Sequence, residues 1–137
     1  MVQTQSYNAL NNKISDNNEQ KLKQKKFDLE QRTFIFSKEI IKFIKNIPKN
    51  LIIIEISKQV LRSASSIGAN YIEANESLGK KDFVMRIRIC LKEAKETVYW
   101  LKLLELDKIN HQKKRNYLIN EAIELKKIFS SIVGKSN

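Results

Sequence analysis

Residues 51–78 read LIIIEISKQVLRSASSIGANYIEANESL, and their apolar positions recur at steps of three and four rather than two. Ile53, Ile56, Val60, Ala64, Ile67, Tyr71, Ala74 and Leu78 therefore stack on one side of a helix. Nearly opposite runs a second stripe, Ile54, Leu61, Ser65, Gly68 and Ile72. A surface helix needs one apolar stripe, so two predict burial on two sides. Gly68 weakens a helix by about 1 kcal/mol relative to Ala, which predicts a packing reason for it. Between the stripes lies a polar ribbon of Gln59, Arg62, Ser66 and Glu73, with Glu55 also on it and Ser63 and Asn70 at its margin.

The same period continues to either side. Leu29, Thr33, Phe36, Ile40, Phe43 and Ile47 predict a helix over about 27–47, stopped by Pro48, and Asn50 is placed to cap the next helix. Gly79 is read as the stop of the central helix, at Leu78. A third helix is expected over about 80–106. Phe83, Ile87, Cys90, Ala94, Val98 and Leu101 form its first face, and Met85, Ile89, Trp100 and Leu103 a second. A fourth, starting near Asn110 or His111 and ending at Val133, carries Leu118, Ala122, Leu125, Phe129 and Ile132, with Gly134 as its stop. Four long amphipathic helices with short connections predict an all-α, antiparallel up-down-up-down four-helix bundle over 27–133. Residues 1–26 are polar and basic and are expected to form a mobile N-terminal arm; 134–137 read as a C-terminal tail.

Composition narrows the function classes. With 3 Gly and 1 Pro in 137 residues, turn punctuation is too sparse for a many-stranded β fold. One Cys excludes an internal disulfide and a thiolate-rich zinc site. The single His111 cannot supply the paired Glu-x-x-His motifs of a di-iron bundle, so no metal or cofactor is expected. No apolar run approaches a membrane span and no signal peptide is visible, so a cytoplasmic protein is expected. His111 has no visible Ser or Cys partner, Cys90 is on a core face and the three glycines are too scattered for a phosphate loop, so no enzyme is expected.

The net charge of +11 favours polyanions. Lys80, Lys81, Arg86, Arg88, Lys113, Lys114 and Arg115 are the candidate nucleic-acid contacts. They read equally as an ordinary solvated surface, and the basic residues of the third helix, Arg86, Arg88, Lys92, Lys95 and Lys102, look spread around it. Arg62 and Glu73 are three turns apart and too distant to pair. Each needs a partner on another helix or subunit, with Glu93 and Glu96 the candidates for Arg62. Gln59, Arg62, Ser63, Asn70, Glu73, Glu93 and Glu96 are thus expected to form a buried polar layer that fixes register.

Residues 59–74, QVLRSASSIGANYIEA, resemble the signature of a bacterial four-helix-bundle family, also known as the 23S rRNA intervening-sequence protein family. A second block fits as well: Lys81-Asp82-Phe83, then Leu91-Lys92-Glu93-Ala94-Lys95-Glu96-Thr97 and Tyr99-Trp100-Leu101. Ala74 stands where many members have Gly. The resemblance covers roughly residues 30–130. It implies a four-helix bundle assembled as a barrel-like homopentamer, with Ile54, Leu61, Ser65, Gly68, Ile72, Met85, Ile89 and Trp100 at the oligomer interface. Members' reading frames often lie in insertions of the large-subunit rRNA gene, which implies RNA binding. A related branch, the accessory proteins of diversity-generating retroelements, implies a basic pentamer that binds nucleic acid and a reverse transcriptase. The expected function is therefore a basic oligomeric bundle that binds RNA or DNA. The alternative is a helical scaffold for a protein partner such as a reverse transcriptase.

Overall fold

The computed structural model describes residues 2–136, and in the first helix it describes the side chains of 11–13, 15–18, 20, 21 and everything from 28 onward. The expected mobility of the 1–26 arm lies outside that description. The chain divides into two compact units, Met1–Gln31 and Arg32–Asn137. The described elements are α1 (Val2–Asn46), α2 (Leu51–Asn75), α3 (Lys80–Leu103) and α4 (Ile109–Ser136).

The first unit is helical, and α1 continues upstream of the start expected at Phe27. The physical reason is an absence of breakers: residues 1–26 hold neither Gly nor Pro and are rich in Gln, Lys and Asn.

The second unit is the bundle. Polar contacts fix its topology. Thr33 of α1 lies against Gly68 of α2, while Ser37 Oγ donates to the Ala64 carbonyl at 3.4 Å. As the number rises on α1 it falls on α2, so the two are antiparallel. Thr97 Oγ1 donates to Ser63 Oγ at 2.8 Å and Arg86 reaches Asn70 at 3.4 Å, which makes α2 and α3 antiparallel as well. Arg32 pairs with Glu121 and Lys114 with Glu39, closing α4 onto α1 in the same sense. The Tyr71 and Phe129 rings meet across the core with centroids 6.0 Å apart.

The predicted core faces are buried almost throughout. Phe36, Ile40, Val60, Ala64, Ile67, Ile87, Cys90, Ala94, Leu101, Leu118, Ala122, Leu125 and Phe129 are all sealed from solvent. Burial pushes the Cys90 thiol up to about 12, so it behaves as a small apolar side chain. Pro48 follows α1, whose end is tied by Lys49 Nζ donating to the Ile47 carbonyl at 2.7 Å. Asn50 caps α2 by accepting from the Ile53 amide at 2.8 Å.

Other boundaries differ from the sequence reading too: α3 ends at Leu103, not near Leu106, where the Leu104 amide turns back on the Leu101 carbonyl. The second helix stops at Asn75, because the Glu76 and Ser77 amides turn back on the Glu73 and Ala74 carbonyls and the Ser77 hydroxyl takes the Glu73 carbonyl at 3.1 Å. Leu78 is consequently outside the helix and fully exposed. Gly79 does not stop α2; it is the extended residue before α3. Gly134 lies inside α4, which runs to Ser136. One glycine's propensity loss of about 1 kcal/mol is too small to break a packed helix.

Candidate nucleic-acid interface

The third helix carries the site. Its inward face is Ile87, Cys90, Ala94, Thr97 and Leu101, all buried. At 100° per residue, Lys81, Arg88, Lys92, Lys95 and Lys102 then fall together on the opposite side, and each is exposed. Tyr99 stands among them at 59% exposure, held edge-on by Trp100 with ring centroids 5.1 Å apart. The stripe extends about 30 Å at 1.5 Å rise per residue.

The acid nearest to it in sequence spacing is Glu96, one turn on from Lys92, whose charge it feels. Of the three carboxylates on α3, Asp82 sits in the first turn about a quarter-turn away, Glu93 is buried, and Glu96 is bonded to Arg62. The residues expected to be spread around this helix are therefore largely collected on one face, with Arg86 the exception. A sequence read in linear order does not show this; the burial of the opposite face does.

The ends of the stripe meet α4. Lys80, Lys81 and Arg88 share a shallow depression with Met85 and with Ser136. At the other end Lys102 shares a second depression with Arg115 and Asn120.

The seven cations predicted from sequence do not form one cluster. Lys80, Lys81, Arg86 and Arg88 lie at the start of α3, whereas Lys113, Lys114 and Arg115 lie at the start of α4, at the opposite end of the bundle. Arg86 reaches the Asn70 carboxamide and is part of the α2–α3 contact. Arg115 donates to the Leu104 carbonyl at 2.5 Å, so it caps the end of α3. Lys114 is 3.6 Å from Glu39 and lies over the Tyr117 ring at 4.6 Å. Of that triplet, Lys113 alone is exposed, and Lys114 and Arg115 are half-buried.

The polar ribbon is half-exposed rather than buried. Arg62 is its centre: Nη1 donates to Glu93 at 3.2 Å, Nη2 to Glu96 at 2.8 Å and Nε to Gln59 at 3.1 Å. That pairing raises the Arg62 pKa, chiefly through Glu96, and Arg62 in turn holds the Glu96 carboxyl below its ordinary value. Beneath it, Ser63 and Thr97 form the buried part, and Thr97 is not among the residues expected in the polar layer. Asn70 is half-buried and Glu73 is exposed, a full three turns from Arg62, outside this cluster.

Of the expected interface residues, Ile54, Leu61, Ser65, Ile72 and Met85 are exposed, and Ile89 and Trp100 are half-buried. Gly68 is a correction. It is buried inside the bundle, where an added Cβ would lie 3.2 Å from Thr33 Oγ1, so its smallness serves the α1–α2 approach and not a second subunit.

Among the described residues there is no group of three or more His, Cys, Asp or Glu that could hold a metal ion. No helix among them is long and apolar enough to cross a membrane. No curated protein matches the chain. It is similar to a crystal structure, at 1.70 Å, of a protein of unknown function from the S23 ribosomal protein family of Bacteroides thetaiotaomicron VPI-5482. The two share 35% identity and superpose with a TM-score of 0.65 over 76% of this chain and 96% of that one. Residues 25–131 match the family model described as 23S rRNA-intervening sequence protein. The chain belongs to the 23S rRNA-intervening sequence protein family.

Proposed function

We propose that this chain is a non-enzymatic, basic, homo-oligomeric bundle that binds RNA through the exposed stripe of α3. The carrying observation is the exposed run Lys81, Arg88, Lys92, Lys95 and Lys102 with Tyr99 exposed among them. Five cations along about 30 Å suit a phosphate backbone, which presents a charge every few ångströms and binds by releasing counterions. An exposed aromatic between them supplies a face on which an unpaired base stacks, worth about 1–3 kcal/mol per base. The name of the family, rRNA-intervening sequence protein, favours RNA over DNA as the ligand.

The test is binding to structured RNA, single-stranded RNA and duplex DNA across a salt series, for the wild type and for R88E/K92E/K95E. The expected result is salt-sensitive RNA binding by the wild type. In the variant the log–log salt slope falls by roughly 2–3, at about 0.7–0.9 per lost phosphate contact. The comparison variant K113E, at the other end of the bundle, is expected to retain the slope. Equal losses in the two, or none in either, would remove α3 from the site.

A further inference from the structure

The first helix carries a second exposed face, remote in character from the α3 stripe. Where α1 belongs to the bundle, Thr33, Phe36, Ile40 and Phe43 point inward. On its outward side Phe34, Lys38, Ile41 and Lys45 follow one another at steps of four, three and four. That is the spacing at which one helix presents a seam to another. Phe34 is 62% exposed and Ile41 40% exposed, and both lysines are exposed. Ile35, 46% exposed, and Lys42 flank the seam. Ile35, Lys38, Ile41, Lys42 and Lys45 line one shallow depression whose floor is mostly hydrocarbon.

Its only acid is Glu39, which is engaged by Lys114. The face therefore alternates apolar and basic residues along about 15 Å. Lys38 lies 5.6 Å over the Phe34 ring, which keeps its charge at the seam. Nucleic acid suits the face less well: Phe34 is its one stacking ring, and a phosphate backbone does not repay burying Ile35 and Ile41 beside it. An acidic amphipathic helix satisfies both halves. Its apolar residues cover Phe34 and Ile41, and its carboxylates, at the same spacing, meet Lys38 and Lys45.

We propose that this face of α1 is a docking seam for an acidic amphipathic helix of a partner protein. The inference goes beyond nucleic-acid binding and does not depend on it, because it uses a different helix and different residues.

The probe is a fluorescein-labelled synthetic helix with leucine and glutamate alternating at steps of three and four, titrated against the full-length chain. The expected result is saturable binding that weakens with salt. K38E/K45E should reduce its affinity about tenfold and take up the lysine counterpart of the peptide instead. I41E should abolish binding of both peptides. The substituted side chains are on the surface, so thermal melting is expected to match the wild type, and light scattering reports the mass of each variant. Absence of binding, or equal affinity for the two peptides by the wild type, would overturn the proposal. So would loss of the native oligomer in I41E, which would assign the face to a second copy of this chain.

Discussion

Arg62 is the residue on which the α2–α3 contact turns, and its three partners respond differently to loss. Glu93 is buried, with 9% of its side chain exposed, whereas Glu96 is 35% exposed. Removing Arg62 leaves a buried carboxylate without its cation; removing Glu96 breaks only a solvent-facing ion pair. R62A is accordingly expected to destabilise the bundle by about 1–3 kcal/mol, and E96Q by about 0.2–1 kcal/mol. The second effect carries a pH signature. Arg62 lowers the Glu96 carboxyl below its ordinary value, so the folded state binds fewer protons there than the unfolded one. The stability this contributes is fully present above the unfolded value, near about 4.3, and is lost as pH falls through the lower folded value. Melting curves of wild type and E96Q should therefore differ at neutral pH and converge in acid. A gap that persisted at the acid limit would mean the pair does not act through its charge.

At the scale of elements, the approach of α1 to α2 rests on Gly68. An added Cβ would lie 3.2 Å from Thr33 Oγ1, 3.4 Å from its Cβ and 3.7 Å from its backbone carbon. One methyl is accommodated by a few tenths of an ångström of movement, and the gain in helix propensity offsets it. A branched side chain is not accommodated, because backbone stands behind the threonine. G68V should lower stability by about 1–3 kcal/mol in a denaturant melt, the range for overpacking a fixed core. A neutral G68V would show that α1 and α2 are not held at this distance. The sequence had already marked Gly68 as a packing residue, but assigned it to the wrong partner. Periodicity tells which residues share a face of one helix, not which helix or subunit covers it. The same distinction runs through the molecule. The inward faces of all four helices were legible because three- and four-residue spacing encodes burial. The α3 stripe follows from the same inward face at 100° per residue, and looks dispersed only while its five cations are taken in linear order without that rotation. Thr97 stands in the second family-like block, but its contact with Ser63 was not legible, since a threonine on a helix has no spacing that names its partner.

At the scale of the whole molecule, and apart from the α1 seam, a lone bundle leaves unexplained two exposed apolar patches on α2 and α3. One patch, Ile54, Leu61 and Ile72, is exposed on the flank of α2. The other, Met85 and Leu103 with the half-buried Ile89 and Trp100, is on the second face of α3. Between them runs the polar ribbon with Arg62 at its centre. Two unlike patches on one protomer are what a heterologous, head-to-tail contact requires, and such contacts close into rings when the rotation between neighbours divides a full turn. A two-fold dimer would instead use one self-complementary patch. This argument supports the proposed ring and makes it testable without knowing its order. L61E/I72E and M85E each place a charge on a different half of the same contact, so each alone should reduce the mass measured by light scattering to that of a single chain. Mixing the two variants is the sharper experiment. Each retains one intact half, so together they should form a heterodimer through the remaining intact pair and stop there. A mixture that stays monomeric would mean the two patches do not meet each other. Retention of the full mass by either variant alone would mean that its patch lies outside the interface.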